Sequence, residues 1–180
     1  MDLNVLAGKV RKLEDILENT KTYRDQWHSD VKPMLHKNLQ EIIKATDLKA
    51  TVEERTEMDN LEAVVLDMGQ SESGIRQRVN DDISKKLIRY NGMLVYQQLF
   101  NGKIIVMIVP PYIEGIGEPN PPKTLEILRP DELTTPFLVR QVETLLKELT
   151  DWEDYDDDKP TQTIGFNTGA FKNSEVLRES

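Results

Sequence analysis

The chain has 180 residues, 38% of them hydrophobic and 31% charged, with 32 acidic against 23 basic side chains for a net charge of −9, and it has no cysteine. That length suits one domain of ordinary size with its own core, and the missing cysteines exclude disulfides and thiolate chemistry. No segment forms a basic stripe, which argues against direct nucleic-acid binding, and no apolar run approaches the roughly 20 residues a membrane-crossing helix needs.

Met1-Asp2-Leu3-Asn4 lacks the basic start and apolar core of a signal peptide, so a soluble, intracellular protein is expected. Leu3, Leu6, Val10, Leu13 and Leu17 then recur at alternating spacings of three and four. This draws an apolar seam along one side of a helix. The seam covers only about two heptads, so packing inside the chain accounts for it as well as oligomerisation does. Gly8 interrupts it and weakens the helix by up to about 1 kcal/mol relative to alanine.

Ser29 or Asp30 can cap a second helix, with Pro33 in its first turn, where a missing amide hydrogen is tolerated. Met34, Leu35, Leu39, Ile42 and Ile43 would form its apolar side, and it should stop between Ala45 and Leu48. Thr51 followed by Glu54 has the form of a capping box. Met58, Leu61, Val64, Val65 and Met68 would line a third helix ending at Gly69, and Ile75, Val79, Ile83 and Leu87 a fourth. Residues 1–88 are thus expected to form a helical hairpin or small bundle.

The segment from Lys86 to Val109 holds the strongest local signals. Asn101-Gly102 lies between the apolar runs Met93–Phe100 and Lys103–Val109, and Asn-Gly in that setting specifies a β-hairpin. A two-residue turn there would pair Phe100 with Lys103. Both faces of the ribbon would be apolar, so helices of this chain or surfaces of another must cover them. Asn91-Gly92 either extends the hairpin to a three-stranded meander or marks the end of a helix.

Pro110 to Lys123 contains five prolines and two glycines, which excludes regular structure across it and favours extended backbone. It reads as a rigid connector or as a recognition arm with Tyr112, Ile113 and Ile116 as anchors. Leu125, Ile127 and Leu128 suggest a short strand. Thr135 and Pro136 open a final helix with Leu138, Val142, Leu145, Leu146, Leu149 and Trp152 at helical spacing. That helix is expected to lie on the hairpin.

Residues 151–180 hold eight acids against Lys159, Lys172 and Arg178. They read as an acidic, flexible tail in which Ile164, Phe166 and Phe171 are spaced as anchors for a partner. Asp154, Asp156 and Asp158 match the first ligand positions of a calcium loop, but Lys159 stands where glycine is required and Gly165 where glutamate is. His28 and His36, the only histidines, build no metal-ligand or base–nucleophile spacing. Gly115-Ile116-Gly117 is followed by Glu118-Pro119, where no helix can open to cradle a phosphate. No catalytic, metal or cofactor site emerges, and no small-molecule substrate is indicated.

The expected fold is α+β: a helical region over 1–88, a hairpin or meander and a covering helix over 89–150, and the tail over 151–180. The expected function is that of a non-enzymatic structural or adaptor subunit, for which a connector-type component of a phage virion is one form. Its partners would be other protein subunits, copies of itself included, with no membrane and no nucleic acid. Leu3, Leu6, Val10 and Leu13 join the loop and tail anchors as partner-binding candidates. The alternative is an acidic inhibitor or immunity-type protein whose Asp151–Asp158 run imitates nucleic acid or fills a basic cleft.

Overall fold

The structure, a computed structural model, describes residues 3–155. Of the expected tail over 151–180, residues 151–153 are instead the end of the last helix, and the anchors Ile164, Phe166 and Phe171 lie outside the described residues. Among the described residues no helix is long and apolar enough to cross a membrane.

The N-terminal helices do not form a hairpin. Helix α1 (Asn4–Gln26) passes through one π-helical turn (Trp27–Val31) into α2 (Lys32–Thr46) without a break. At 1.5 Å per residue this makes a single rod about 65 Å long. Pro33 was expected to begin a new helix; instead the wider turn accommodates it. Its ring would crowd the carbonyl of Ser29 in a regular α-helix, and Ser29 lies within the π turn, where the Lys32 amide reaches back to the Trp27 carbonyl. The extra residue also realigns the stripe Trp27, Val31, Leu35 and Leu39, all essentially inaccessible. Spacings of four throughout would otherwise drift around the helix. Asp47 ends the rod in the left-handed region at φ 54°.

The third and fourth expected helices are strands, so the helical region stops at Thr46 and not at residue 88. β1 (Thr51–Arg55) and β2 (Ala63–Asp67) form one hairpin, and β3 (Gln70–Arg78) and β4 (Ser84–Tyr90) form another. The run Ala63-Val64-Val65-Leu66 fits a doubly covered strand as well as a helical stripe. Pairing with β5 (Met93–Gln98) decides between the two. β6 (Ile104–Val109), β7 (Tyr112–Ile113) and β8 (Lys123–Leu128) follow, and α3 (Thr135–Glu153) ends the described fold. Thr134, not Thr135, stands at its N-cap, with Pro136 in the first turn.

Two antiparallel sheets result. The larger has the order β1-β2-β5-β6-β8, and the smaller the order β3-β4-β7. β4 and β5 therefore belong to different sheets, and no meander forms through Asn91-Gly92. Gly92 turns the chain between them at φ 90°. The Asn91 side chain ties the junction, accepting from Ser71 and from Arg89 Nε and donating to the Met68 carbonyl.

The β5–β6 hairpin forms where expected, but with a three-residue loop. Gln98 pairs with Ile104, the Leu99 amide donates to the Lys103 carbonyl, and the Gly102 amide donates back to Leu99. Gly102 has positive φ and Asn101 does not, which excludes the two-residue turn that needs both. The register is therefore one residue from the expected one, and this exchanges which residues share a face. Leu94, Tyr96, Ile104, Val106 and Ile108 lie together under α2 and α3, packed with Leu35, Leu39, Leu138, Val142 and Leu145 in the main core. On the opposite face Ala63, Val65 and Val95 are buried among half-buried Met93, Met107 and Val109. Helices of the same chain thus cover one side of the ribbon, as expected for α3.

Candidate functional site

The first candidate is the projecting half of α1. Among the described residues of the chain, α1 buries none of its own side chains. The seam predicted from spacing is present and open: Leu3, Leu6, Val10, Leu13 and Leu17 are between 47% and 62% exposed, and Val5 and Ile16 are exposed beside them. A shallow apolar depression lined by Leu3, Leu6, Ala7, Val10 and Arg11 runs along the free end. Only the other end of the helix meets the body. Thr20 and Tyr23 stand against the β5–β6 loop at Gly102, and Arg24 donates to the Phe100 carbonyl at 2.8 Å. The body's core is complete without the seam. An apolar stripe of this size left open to solvent is uncommon on a protein surface, which makes the seam a candidate contact site.

The loop anchors are placed differently. Tyr112 and Ile113 make up strand β7 within a segment expected to lack regular structure. Ile113 is buried against its own chain, and Tyr112 stacks on Tyr90 with ring centroids 4.5 Å apart. Ile116 is half-buried. Their apolar surface closes the smaller sheet, and they are not brought together with the α1 seam.

A second candidate, a polar cluster at the π turn, was not legible in the sequence. Glu62 sits in the β1–β2 connection with its side chain only 11% exposed. It accepts hydrogen bonds from Trp27 Nε1 and Lys32 Nζ, both at 3.2 Å. Lys32 also reaches Glu54 Oε2 at 3.1 Å. His28 Nδ1 lies 3.9 Å from Glu62, and His36 Nε2 lies 2.7 Å from Glu54 but off the line of a hydrogen bond. His28, Lys32 and His36 share one side of the rod because it is continuous across the turn, which the expected helix break concealed. Lys32 occupies the space between the two carboxylates, and among the described residues no group of three ligating side chains could hold a metal.

The charges of this cluster depend on one another. Burial alone pushes the Glu62 carboxyl up, but the bonds from Trp27 and Lys32 and the charges of Lys32 and His28 hold it below its ordinary value. Burial likewise pushes the Lys32 ammonium down, and its bonds to Glu54 and Glu62 more than offset that. A lowered carboxyl stabilises the fold above its ordinary value of 4.5, and that contribution is lost as pH falls through the folded value. A raised amine stabilises below 10.5 and loses its contribution as pH rises through its own folded value. The cluster's contribution is therefore expected to be flat between about pH 6 and 9 and to fall on the acid side. Urea midpoints measured for the wild type and Glu62→Gln check this: part of the acid-side slope should disappear in the variant. Identical slopes would show that Glu62 contributes nothing.

A third polar group lies between α3 and the sheet, where Glu126 on β8 accepts from Gln141 Nε2 at 2.7 Å and pairs with Arg140. Burial pushes the Tyr96 phenol on the same face far above its ordinary range, which keeps it neutral. These contacts lock α3 onto β8, as Arg89 locks its other end through Glu153 at 2.7 Å.

No protein-family model, no curated protein and no solved structure matches this chain.

Proposed function

We propose that this protein is a non-enzymatic structural or adaptor subunit of a larger protein assembly, and that it docks through the projecting half of α1. The observation that supports this most is the exposed seam from Leu3 to Leu17, an apolar stripe on a helix whose far end is fixed rigidly to a completed core. A pre-formed helix presenting anchors at spacings of three and four is the recurrent helical docking mode of protein recognition. The polar cluster at the π turn supports the same reading. Lys32 engages both Glu54 and Glu62, so these groups brace the root of the rod.

Size-exclusion chromatography of an extract from the source cells tests the reading. The chain is expected to elute in a complex well above twice its own 20.7 kDa. Leu6→Glu with Leu13→Glu should shift it to low mass without changing its far-ultraviolet circular dichroism. Elution of the wild-type chain as a free species in that extract would refute the assignment.

A further inference from the structure

We propose that the occupant of the α1 seam is the same seam of a second copy, the two helices forming a short parallel, two-stranded coiled coil. This rests on the reading of α1 as the docking element and names its first partner.

Three observations converge on a second copy in this orientation. The first is heptad position. With Leu3, Val10 and Leu17 at a and Leu6 and Leu13 at d, a β-branched residue occupies a central a layer with leucine at d on either side, the combination that favours two parallel strands. The second is charge. Lys9 then falls at g and Glu14 at e, five residues on. Both are exposed and neither has an ion pair among the described residues. In a parallel, in-register pair, Lys9 of each copy faces Glu14 of the other, so two complementary contacts flank the seam. An antiparallel pair with the same layers sets Lys9 beside Ile16 and Glu14 beside Ala7, and gains neither contact.

The third is the placement of the body. At about 100° per residue, the seam points roughly a quarter turn away from the side that Ile16, Thr20 and Tyr23 turn to the body. A two-fold axis parallel to α1 therefore puts the two bodies on opposite flanks of the pair, clear of the seam. Two heptads are too few for a free peptide, which would have to fold as it associates. Here the helix is already continuous with α2 through the π turn, so association does not carry that cost. Each copy brings five seam side chains that are about half exposed, the surface from which an interface of the minimum specific size, about 1,000 Å², would be built.

Light scattering on the purified full-length chain across roughly 1–100 µM tests this, together with variants confined to exposed positions. The wild type should pass from monomer to dimer as concentration rises. Leu6→Glu with Leu13→Glu should abolish the dimer while leaving the melting curve of the dilute monomer unchanged. Lys9→Glu alone should weaken dimerisation about tenfold, and Lys9→Glu combined with Glu14→Lys should restore it. Since the chain has no cysteine, Leu6→Cys gives a clean orientation probe: parallel helices oxidise to a covalent dimer, whereas antiparallel ones bring Leu6 against Leu17 and do not.

A wild type that stays monomeric over this range overturns the proposal, as does a dimer indifferent to the double glutamate change or one without the Leu6→Cys crosslink. If that monomer still enters the seam-dependent complex in cell extract, the occupant is another protein and the adaptor reading stands without this inference. A monomer that instead cosediments with vesicles of phosphatidylcholine and phosphatidylserine through Leu6 and Leu13 would put a lipid surface on the seam and overturn both.

Discussion

Trp27→Ala is expected to destabilise the protein by about 3–5 kcal/mol, the range for removing a large aromatic from a packed interior. Trp27 is fully buried where the rod crosses the sheet, in one cluster with Leu35, Leu94, Tyr96 and Leu138. Its loss both opens a cavity and removes the indole N–H that Glu62 accepts at 3.2 Å. A domain of this size is stable by only about 5–15 kcal/mol, so a large part of the margin would go. Urea unfolding followed by circular dichroism measures the change. Trp27→Phe separates the two contributions: it keeps most of the volume and should cost about 1.5–3 kcal/mol, the worth of one hydrogen bond to a charged group, since Lys32 still donates to Glu62. An alanine variant within 1 kcal/mol of the wild type would mean that Trp27 is not a determinant of the core.

The second large effect is expected at Gly102, with Gly8 as its counterpart of opposite sign. Gly102 adopts φ +77°, and a Cβ there would lie 2.7 Å from Tyr23 Cβ and 2.9 Å from the Thr20 carbonyl oxygen. Alanine must therefore accept a left-handed conformation costing about 1–2 kcal/mol and in addition displace α1 from the loop. The expected loss is at least about 2 kcal/mol. Hydrogen exchange should quicken between residues 16 and 26, because the contact between Arg24 and the Phe100 carbonyl is strained with the rest. Gly8 lies within α1, and no atom stands within 4 Å of where its Cβ would be. Gly8→Ala should stabilise by up to about 1 kcal/mol through helix propensity alone. Equal effects at the two positions would remove the close approach of α1 to the hairpin as a determinant of the fold.

This pair of glycines shows what local pattern can and cannot carry. One reads in the sequence as a weak point within a helix and the other as a hairpin turn, and nothing adjacent to either reveals that the first faces empty space and the second a helix some 80 residues earlier in the chain. The same holds for Glu62. By spacing it is an ordinary acid between Leu61 and Ala63 in the expected third helix, until β1 and β2 bring it under Trp27 and Lys32. No spacing rule connects residues 27, 32, 54 and 62, because the contact is made by a strand connection meeting a helix face.

By itself the sequence determined the features that depend on a few neighbouring residues: the helical seam from Leu3 to Leu17, the hairpin around Asn101-Gly102, a last helix with Pro136 in its first turn, and an α+β chain with no thiol chemistry. Only the tertiary structure decided that residues 51–90 pair as strands. Their apolar spacing satisfies both a helical and an extended period, and the hydrogen-bonding partners, β5 for β2 and β7 for β4, break the tie. It also decided the hairpin register, set by one backbone dihedral at Asn101, and the continuity of the rod through Pro33. Last, it decided that the seam stays uncovered. Periodicity states which side of a helix is apolar; whether another surface reaches that side depends on where the remaining chain is packed.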